Sequence, residues 1–498
     1  MDAVAATFEG IALALAPDKL LHCFLGVFIG TLTGVLPGVG SLAAVALLLP
    51  VSFHLDPTTA LIFLAGVYYG AEYGGSITSI LLNLPGTSST AVTCLDGHPL
   101  ARAGKAGTAL LLTALASFVG GAAGIIALTV LAPSLAGFAR HLVSVDYFAI
   151  MTFALVASAT ISRGSALKGL AMVVVGLMLG CVGLDLETGI LRFAFGWYAL
   201  YDGLGLVAIA MGLFGLSEIM LSLATTRGVP ARPDVSLRSM RPTRGEALTA
   251  GMPIARGSLV GGFLGALPGA GVTIASFVAY AFEKRVARNP DRFGNGAIEG
   301  ICAPEAANNA AAQTAFIPTL TLGIPGSASM AFMLGALMIH GIAPGPTMIS
   351  ENRELFWTVV GSFWVGNIML LFLNIPLIGI WVTILRIPYN FLFPIVVCFI
   401  CVGAFTVNRS LFDVWVVLAS GCAGFALRRM GYDPAPLLIG FVLGPLLEEN
   451  FRRMMMVHDG DWLALFSSVP ATVFLALSAL LLAMACKPVI LRLAWHLR

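Results

Sequence analysis

The chain has 498 residues, of which 58% are hydrophobic and only 10% charged, and its formal net charge is +2. Soluble domains carry roughly 25% charged residues, so a chain with a mean hydropathy of +0.94 lies in lipid and is not a water-soluble enzyme. So small a net charge also excludes a nucleic-acid binder or a polybasic membrane tether.

Taken in chain order, Met1-Asp2-Ala3 to Gly10 lacks a basic stretch, and no cleaved signal peptide is expected. Apolar runs of the ~20 residues that a bilayer core requires then recur at 20–51, 106–132, 142–162, 165–183, 200–225, 355–383, 391–407, 411–427, 434–447 and 462–486. Counting broken segments, roughly 11–13 crossings are expected. Backbone in lipid must satisfy its own hydrogen bonds, so the spans are helices. The alternating polarity of a transmembrane barrel is absent.

The first run contains Gly26, Gly30 and Gly34 at helical spacing, followed by Leu36-Pro37-Gly38-Val39-Gly40. The same pattern returns 231 residues later as Gly257, Gly261, Gly265 and Leu267-Pro268-Gly269-Ala270-Gly271. The repeat marks a duplicated membrane protein. The first three glycines of each ladder are positions where helix backbones approach closely. The Pro-Gly-x-Gly ending is a different feature, because proline removes a donor and glycine tolerates unusual dihedrals. The N–H and C=O groups freed there are out of reach of lipid but not of a ligand, ion or buried water. Pro37, Gly38, Gly40, Pro268, Gly269 and Gly271 are therefore candidate ion-coupling positions.

A second pair of breaks is richer in hydroxyls. Ser76, Thr78, Ser79 and Asn83 precede Leu84-Pro85-Gly86, and Thr87, Ser88, Ser89 and Thr90 follow it; the counterpart is Ile324-Pro325-Gly326-Ser327-Ala328-Ser329. A helix restarting after such a break points its N–H groups and hydroxyls at the gap, a cradle for a carboxylate that needs no buried lysine. The alternative is ordinary N-capping. The candidate substrate-binding residues are Ser76, Thr78, Asn83, Pro85, Gly86, Thr87, Ser88, Ser89, Pro325, Gly326, Ser327 and Ser329.

Polar groups at membrane depth are costly and point to function. Glu72 lies before Gly74-Gly75, and Pro304-Glu305-Ala306-Ala307-Asn308-Asn309 precedes an apolar segment containing Pro318. Glu72, Glu305, Asn308 and Asn309 supply hard oxygen ligands: Asn308 and Asn309 suit Na⁺, and a carboxylate alternatively carries a proton. An interfacial helix cap is the competing reading of 304–309.

Residues 226–256 carry six arginines against Asp234 and Glu246, with Pro230, Pro233 and Pro242 breaking any helix there. They read as a cytoplasmic linker between a first repeat, 1–225, and a second, 257–498, that includes a C-terminal helix. Positive charge falls on loops that do not correspond between the halves: Arg102 and Lys105 in one, Lys284, Arg285, Arg288 and Arg292 in the other. That pattern predicts inverted topology. The expected fold is an all-α polytopic membrane protein of two inverted-topology repeats with broken or re-entrant helices. Gly212 to Glu218 loosely matches Phe441 to Glu448. Asp185, Glu187, Arg428 and Arg429 read as loop charges, and Arg163 and Arg409 as snorkelling helix-end residues. The histidines show no metal spacing, and Cys398-x-x-Cys401 reads as small apolar residues in a helix. No phosphate loop or catalytic motif is present, Gly104-Lys105-Ala106 failing the first. Uphill transport must then draw on an ion gradient or a partner, and no cofactor is expected beyond Na⁺ or H⁺.

Gly34-Val-Leu-Pro-Gly-Val-Gly40, Tyr73-Gly-Gly-Ser76, Leu82-Asn-Leu-Pro-Gly86, Leu95-Asp-Gly-His-Pro99, Ala303-Pro-Glu-Ala-Ala-Asn-Asn309, Leu322-Gly-Ile-Pro-Gly326 and Gly444-Pro-Leu-Leu-Glu-Glu-Asn450 together resemble the TctA family. That family is the large membrane subunit of the tripartite tricarboxylate transporters, and the resemblance runs from about residue 20 to 470. It implies a multi-pass protein of the bacterial inner membrane that imports a tri-, di- or aromatic carboxylate by secondary transport coupled to Na⁺ or H⁺. The implied partners are a small TctB-type membrane subunit and a periplasmic TctC-type solute-binding protein. A passive anion channel is the nearer alternative. An integral-membrane enzyme would need a nucleophile–base pair that the sequence does not show. The expected mechanism is alternating access at one site formed by breaks from both halves, with an elevator as one form of the motion.

Overall fold

The computed structural model describes residues 3–36, 39–161, 165–185, 188–225, 237–269, 271–385 and 389–496. Among these the regular structure is helical, joined by turns and loops, apart from a short antiparallel pairing of Gly183–Leu184 with Leu191–Arg192. Pro37, Gly38, Arg163, Glu187, Ala270 and the linker residues 226–236 lie outside the described residues.

Four described helical stretches are long and apolar enough to cross a bilayer alone: Pro17–Val35, Cys94–Ala139, Arg353–Asn374 and Leu411–Arg429. Shorter apolar helices, including Gly40–Ser52, Ala166–Gly180 and Ala328–Ile339, accompany them. The run 20–51 is two helices, Pro17–Val35 and Gly40–Ser52, separated at the first Pro-Gly break.

The two most enclosed helices are missing from the list of apolar runs. Pro57–Leu82 is buried from Thr59 through Leu81, and Glu299–Thr314 from Gly300 through Thr314. A helix enclosed by protein on every side has no lipid-facing stripe to keep apolar. Both therefore carry Gly, Thr and Glu, with Ser in the first and Asn and Gln in the second, which lower their hydropathy. Pro57–Leu82 starts at Asp56, whose carboxylate accepts from the N–H groups of Thr58 and Thr59 at 3.1 and 3.2 Å. It ends where Asn83 turns left-handed at φ 56°. The other central helix continues as Phe316–Leu322 and ends at left-handed Gly323.

Each glycine ladder docks on one of these buried helices. A Cβ on Gly30 would stand 2.4 Å from the Val67 carbonyl oxygen, and one on Gly261 would stand 2.1 Å from that of Ala307. Gly26 and Gly34 face Phe63 and Ala71 in the same register, as Gly257 and Gly265 face Ala303 and Ala311. Small side chains are what permit the contact.

The stretch expected to be linker through residue 256 is helical from Arg244. Thr243 and Glu246 form a capping box that starts helix Arg244–Gly265, and Lys105 donates to Glu246 at 2.7 Å. Arg256, counted with the loop charge, grips Glu283 through two hydrogen bonds of 2.8 and 2.6 Å. Asp96 joins the halves: its carboxylate accepts from the N–H groups of Gly294, Gly296 and Ala297, each at 2.8 Å, and from Tyr280 at 2.9 Å.

A second group of helices, Ser144–Ile161, Ala166–Gly180, Ala435–Val457 and Val469–His496, packs around its own apolar clusters. Gly176 and Gly440 bring two of these helices together against the Leu437 and Val173 carbonyls. At one end of this group Glu448 accepts from Arg192 at 2.8 Å and Arg452 at 2.6 Å, and Arg452 also reaches Asp185 at 3.0 Å. Asp185 is therefore part of an ion network joining distant segments of the chain rather than an isolated loop charge.

Candidate functional site

Four helix breaks, two from each half, meet at one cavity of about 700 Å³. Its wall takes Val39, Gly40 and Ser41 from the first break and Pro85, Gly86, Thr87 and Ser88 from the second. It takes Gly269 and Gly271 from the third and Ser327, Ala328 and Ser329 from the fourth. Ser158, Phe214, Glu218, Arg428 and residues Gly431 to Pro436 also line it.

The breaks are tied together by hydrogen bonds. The Gly269 N–H donates to the Gly326 carbonyl at 3.0 Å. The Ser88 and Thr273 hydroxyls are 2.8 Å apart and bridge the halves. The Thr87 N–H donates to the Thr90 hydroxyl at 3.2 Å. Ser327 caps helix Ala328–Ile339 by accepting from the Met330 N–H at 3.3 Å. At this position the capping reading holds, and the capping residue also lines the cavity.

Glu72 reaches the cavity wall from the buried helix Pro57–Leu82 and is only 1% exposed. Its carboxylate accepts from Ser41 at 2.5 Å, from Thr87 at 3.1 Å and from Ser89. The first two breaks thus converge on one acid. Asn308 approaches Glu72 from the other half, yet its side-chain nitrogen and oxygen are both buried without a hydrogen-bond partner. One turn away on the same helix, Glu305 accepts from Thr93 at 2.5 Å and Ser117 at 3.4 Å. Two buried acids are held here by neutral hydroxyls, with an unsatisfied amide beside them; a bare carboxylate is costly away from water, and a small cation or a proton is what such a cluster can chemically accommodate.

Not every residue singled out in the sequence faces this space. Gly40, Glu72, Pro85, Gly86, Thr87, Ser88, Gly269, Gly271, Ser327 and Ser329 do. Ser89 stands behind the wall and supports Glu72. Ser76 and Thr78 donate to the carbonyls of Tyr73 and Gly75 at 3.0 and 3.2 Å and do not line the cavity. Asn83 is the left-handed helix cap, Pro325 and Gly326 lie buried behind the fourth break, and Pro268 is off the wall. Asn309 donates to the Glu305 backbone carbonyl at 3.1 Å. Glu305, Asn308 and Asn309 sit mid-helix and buried, which removes the interfacial-cap reading of 304–309. No group of three or more His, Cys, Asp or Glu side chains able to hold a metal occurs among the described residues.

The sequence reading missed Ser41 and Thr273, and it placed Arg428 in a loop. Arg428 is instead in the last turn of helix Leu411–Arg429, on the cavity wall and paired with Glu218. A signal was present: Glu218 closes the motif that matches Phe441 to Glu448, and an acid in a lipid-embedded segment calls for a partner.

The model of the tripartite tricarboxylate transporter TctA family matches residues 20–439. The chain is similar to the "Uncharacterized 52.8 kDa protein in TAR-I ttuC' 3'region" of Agrobacterium vitis, 46% identical over 494 residues that cover 98% of this chain and 97% of the relative. It is also similar to the "Uncharacterized protein in TAR-II ttuC' 3'region" of the same organism, 49% identical over 228 residues that cover 46% of this chain and 94% of the relative. No solved structure matches. With a family match spanning most of its length, over both pairs of breaks that build the cavity, this chain belongs to the tripartite tricarboxylate transporter TctA family.

Proposed function

We propose that this chain is the translocating subunit of a secondary importer, carrying an organic carboxylate across the bacterial inner membrane through the cavity at the four breaks. The observation that carries the reading is the convergence of all four breaks on one half-open cavity, where hydroxyls and a few charged groups stand on a mostly apolar wall. A scaffold would have no use for so many backbone interruptions in lipid. Hydroxyls of Ser88, Thr273 and Ser327 and the start of helix Ala328–Ile339 receive the anion.

Charge sets the energetic problem. Carrying one negative charge inward against the membrane potential costs about 2.3 kcal/mol per 100 mV, so a dianion costs about 4.6 kcal/mol. Accompanying cations must at least cancel that charge. Glu72 with Ser41, Thr87 and Ser89 is the coupling site for Na⁺ or H⁺, and Asn308 completes it from the other half. Glu305 and Asn309 support that site from the same helix. The two halves act as inverted repeats that exchange access to the two sides. A TctC-type binding protein delivers cargo from the periplasm, and a TctB-type subunit accompanies the chain.

The test is counterflow in proteoliposomes with labelled citrate, succinate and benzoate, repeated with imposed Na⁺ and H⁺ gradients and with the binding protein added. A carrier gives saturable exchange and gradient-driven accumulation. Flux that rises linearly with concentration identifies a passive channel and refutes the proposal.

A further inference from the structure

We propose that Arg428 is the cationic anchor for one carboxylate of the cargo, and that Glu218 is its internal stand-in, holding the guanidinium until cargo displaces it. This rests on the transport reading above and assigns it a recognition residue. Among the described residues of the cavity wall, Arg428 is the one cationic side chain. It reaches the wall from the last turn of helix Leu411–Arg429, and Glu218 faces it from helix Ser217–Thr225. The guanidinium carbon lies 5.8 Å from the centre of the Phe214 ring, which holds the planar group in place while leaving its edge available. The Arg428 Nε is buried without a hydrogen-bond partner. An arginine fork matches a carboxylate through two parallel hydrogen bonds, and this donor is already desolvated for a second acceptor. The segment before Glu218, Met211–Leu216, is a π-helical stretch, a distortion that occurs often at functional sites.

Exchange is what makes the arrangement suited to transport. A bare guanidinium in an empty cavity in the membrane would be strongly penalised, and Glu218 removes that penalty. When cargo arrives, one carboxylate replaces another on the same fork, so binding is selective without being too tight to release. A cargo with two or more carboxylates can bind Arg428 with one and the hydroxyls of Ser88, Thr273 and Ser327 with another.

The test uses the full-length chain in proteoliposomes, with counterflow of labelled citrate, succinate and benzoate. Arg428→Ala is expected to raise KM roughly 10- to 100-fold for any transported acid with two or three carboxylates, as loss of a charge-assisted hydrogen bond predicts. Arg428→Lys, which keeps the charge but not the fork, falls between. Glu218→Gln is expected to lower KM and also kcat, because cargo no longer competes with a resident anion. If Arg428→Ala fails to fold, the double variant Arg428→Gln with Glu218→Gln leaves no unpaired charge and must show the raised KM. A KM within twofold of wild type in that double variant, with wild-type exchange intact, overturns the anchor and leaves the transport reading standing. Absence of saturable exchange by the wild type overturns both.

Discussion

Gly86 and Gly326 occupy matching places in the two Leu/Ile-Pro-Gly breaks, yet the structure predicts opposite responses to the same substitution. A Cβ on Gly86 would stand 2.1 Å from the Gly34 carbonyl oxygen, 2.6 Å from the Gly75 Cα and 2.7 Å from the Thr78 hydroxyl. Two of these are backbone atoms of the buried helix pair and cannot move alone. Relief needs a shift of about 1 Å between the break and the helices Pro17–Val35 and Pro57–Leu82. Overpacking of this kind costs about 1–3 kcal/mol or more. A Cβ on the buried Gly326 would meet nothing closer than 3.7 Å, and no left-handed backbone is required there, so Gly326→Ala should be neutral or stabilising by up to about 1 kcal/mol. The assay is thermal unfolding of each variant in detergent, paired with counterflow in proteoliposomes. Gly86→Ala should unfold at a clearly lower temperature and lose exchange, whereas Gly326→Ala should unfold at or above the wild-type temperature and keep exchange. Equal behaviour of the two variants would refute the packing argument and the asymmetry it assigns to the site.

Other changes probe the remaining parts. Glu72→Gln keeps the shape of the hydroxyl cluster but removes its charge; a unit charge at ~4 Å and an effective dielectric of ~20 is worth about 4 kcal/mol, so cation affinity should fall about a thousandfold. Accumulation driven by an ion gradient should vanish in that variant while counterflow persists, and unchanged ion dependence of uptake would count against the coupling site. Ser88→Ala, Ser327→Ala and Asn308→Ala should impair uptake with normal membrane expression, and normal kinetics in all three would remove them from the site. Gly261→Leu should prevent the close docking on Ala307 and abolish accumulation of folded protein, measured by size-exclusion profile. At the exposed start of helix Arg244–Gly265, the hydrogen bond from Lys105 holds Glu246 down to about 2 from an ordinary 4.5. Its stabilising contribution is full above pH ~4.5 and fades as pH falls toward 2. Because Lys105 is half exposed, Glu246→Ala should cost no more than about 1 kcal/mol at pH 7 and less in acid, read from unfolding curves at several pH values.

Much of this protein is legible in its sequence because the bilayer imposes severe rules. Low charge and long apolar runs force helices. The ladders of Gly26, Gly30 and Gly34 and of Gly257, Gly261 and Gly265 announce close backbone contact, and each Pro-Gly pair announces a break. These are local signals, carried by spacing alone. Hydropathy failed for the helices Pro57–Leu82 and Glu299–Thr314, because enclosure by protein on all sides frees a helix from the need to be greasy. Three-dimensional packing alone decided which polar residues share a space. Ser76 and Thr78 sit on the same helix as Glu72, yet they turn their hydroxyls back onto carbonyls while Glu72 reaches the cavity. Arg428, 210 positions away from Glu218 in the chain, becomes its partner through the packing of two helices from different halves. Spacing along a chain encodes where a helix bends; which side chains meet across the bends is set by how whole helices pack.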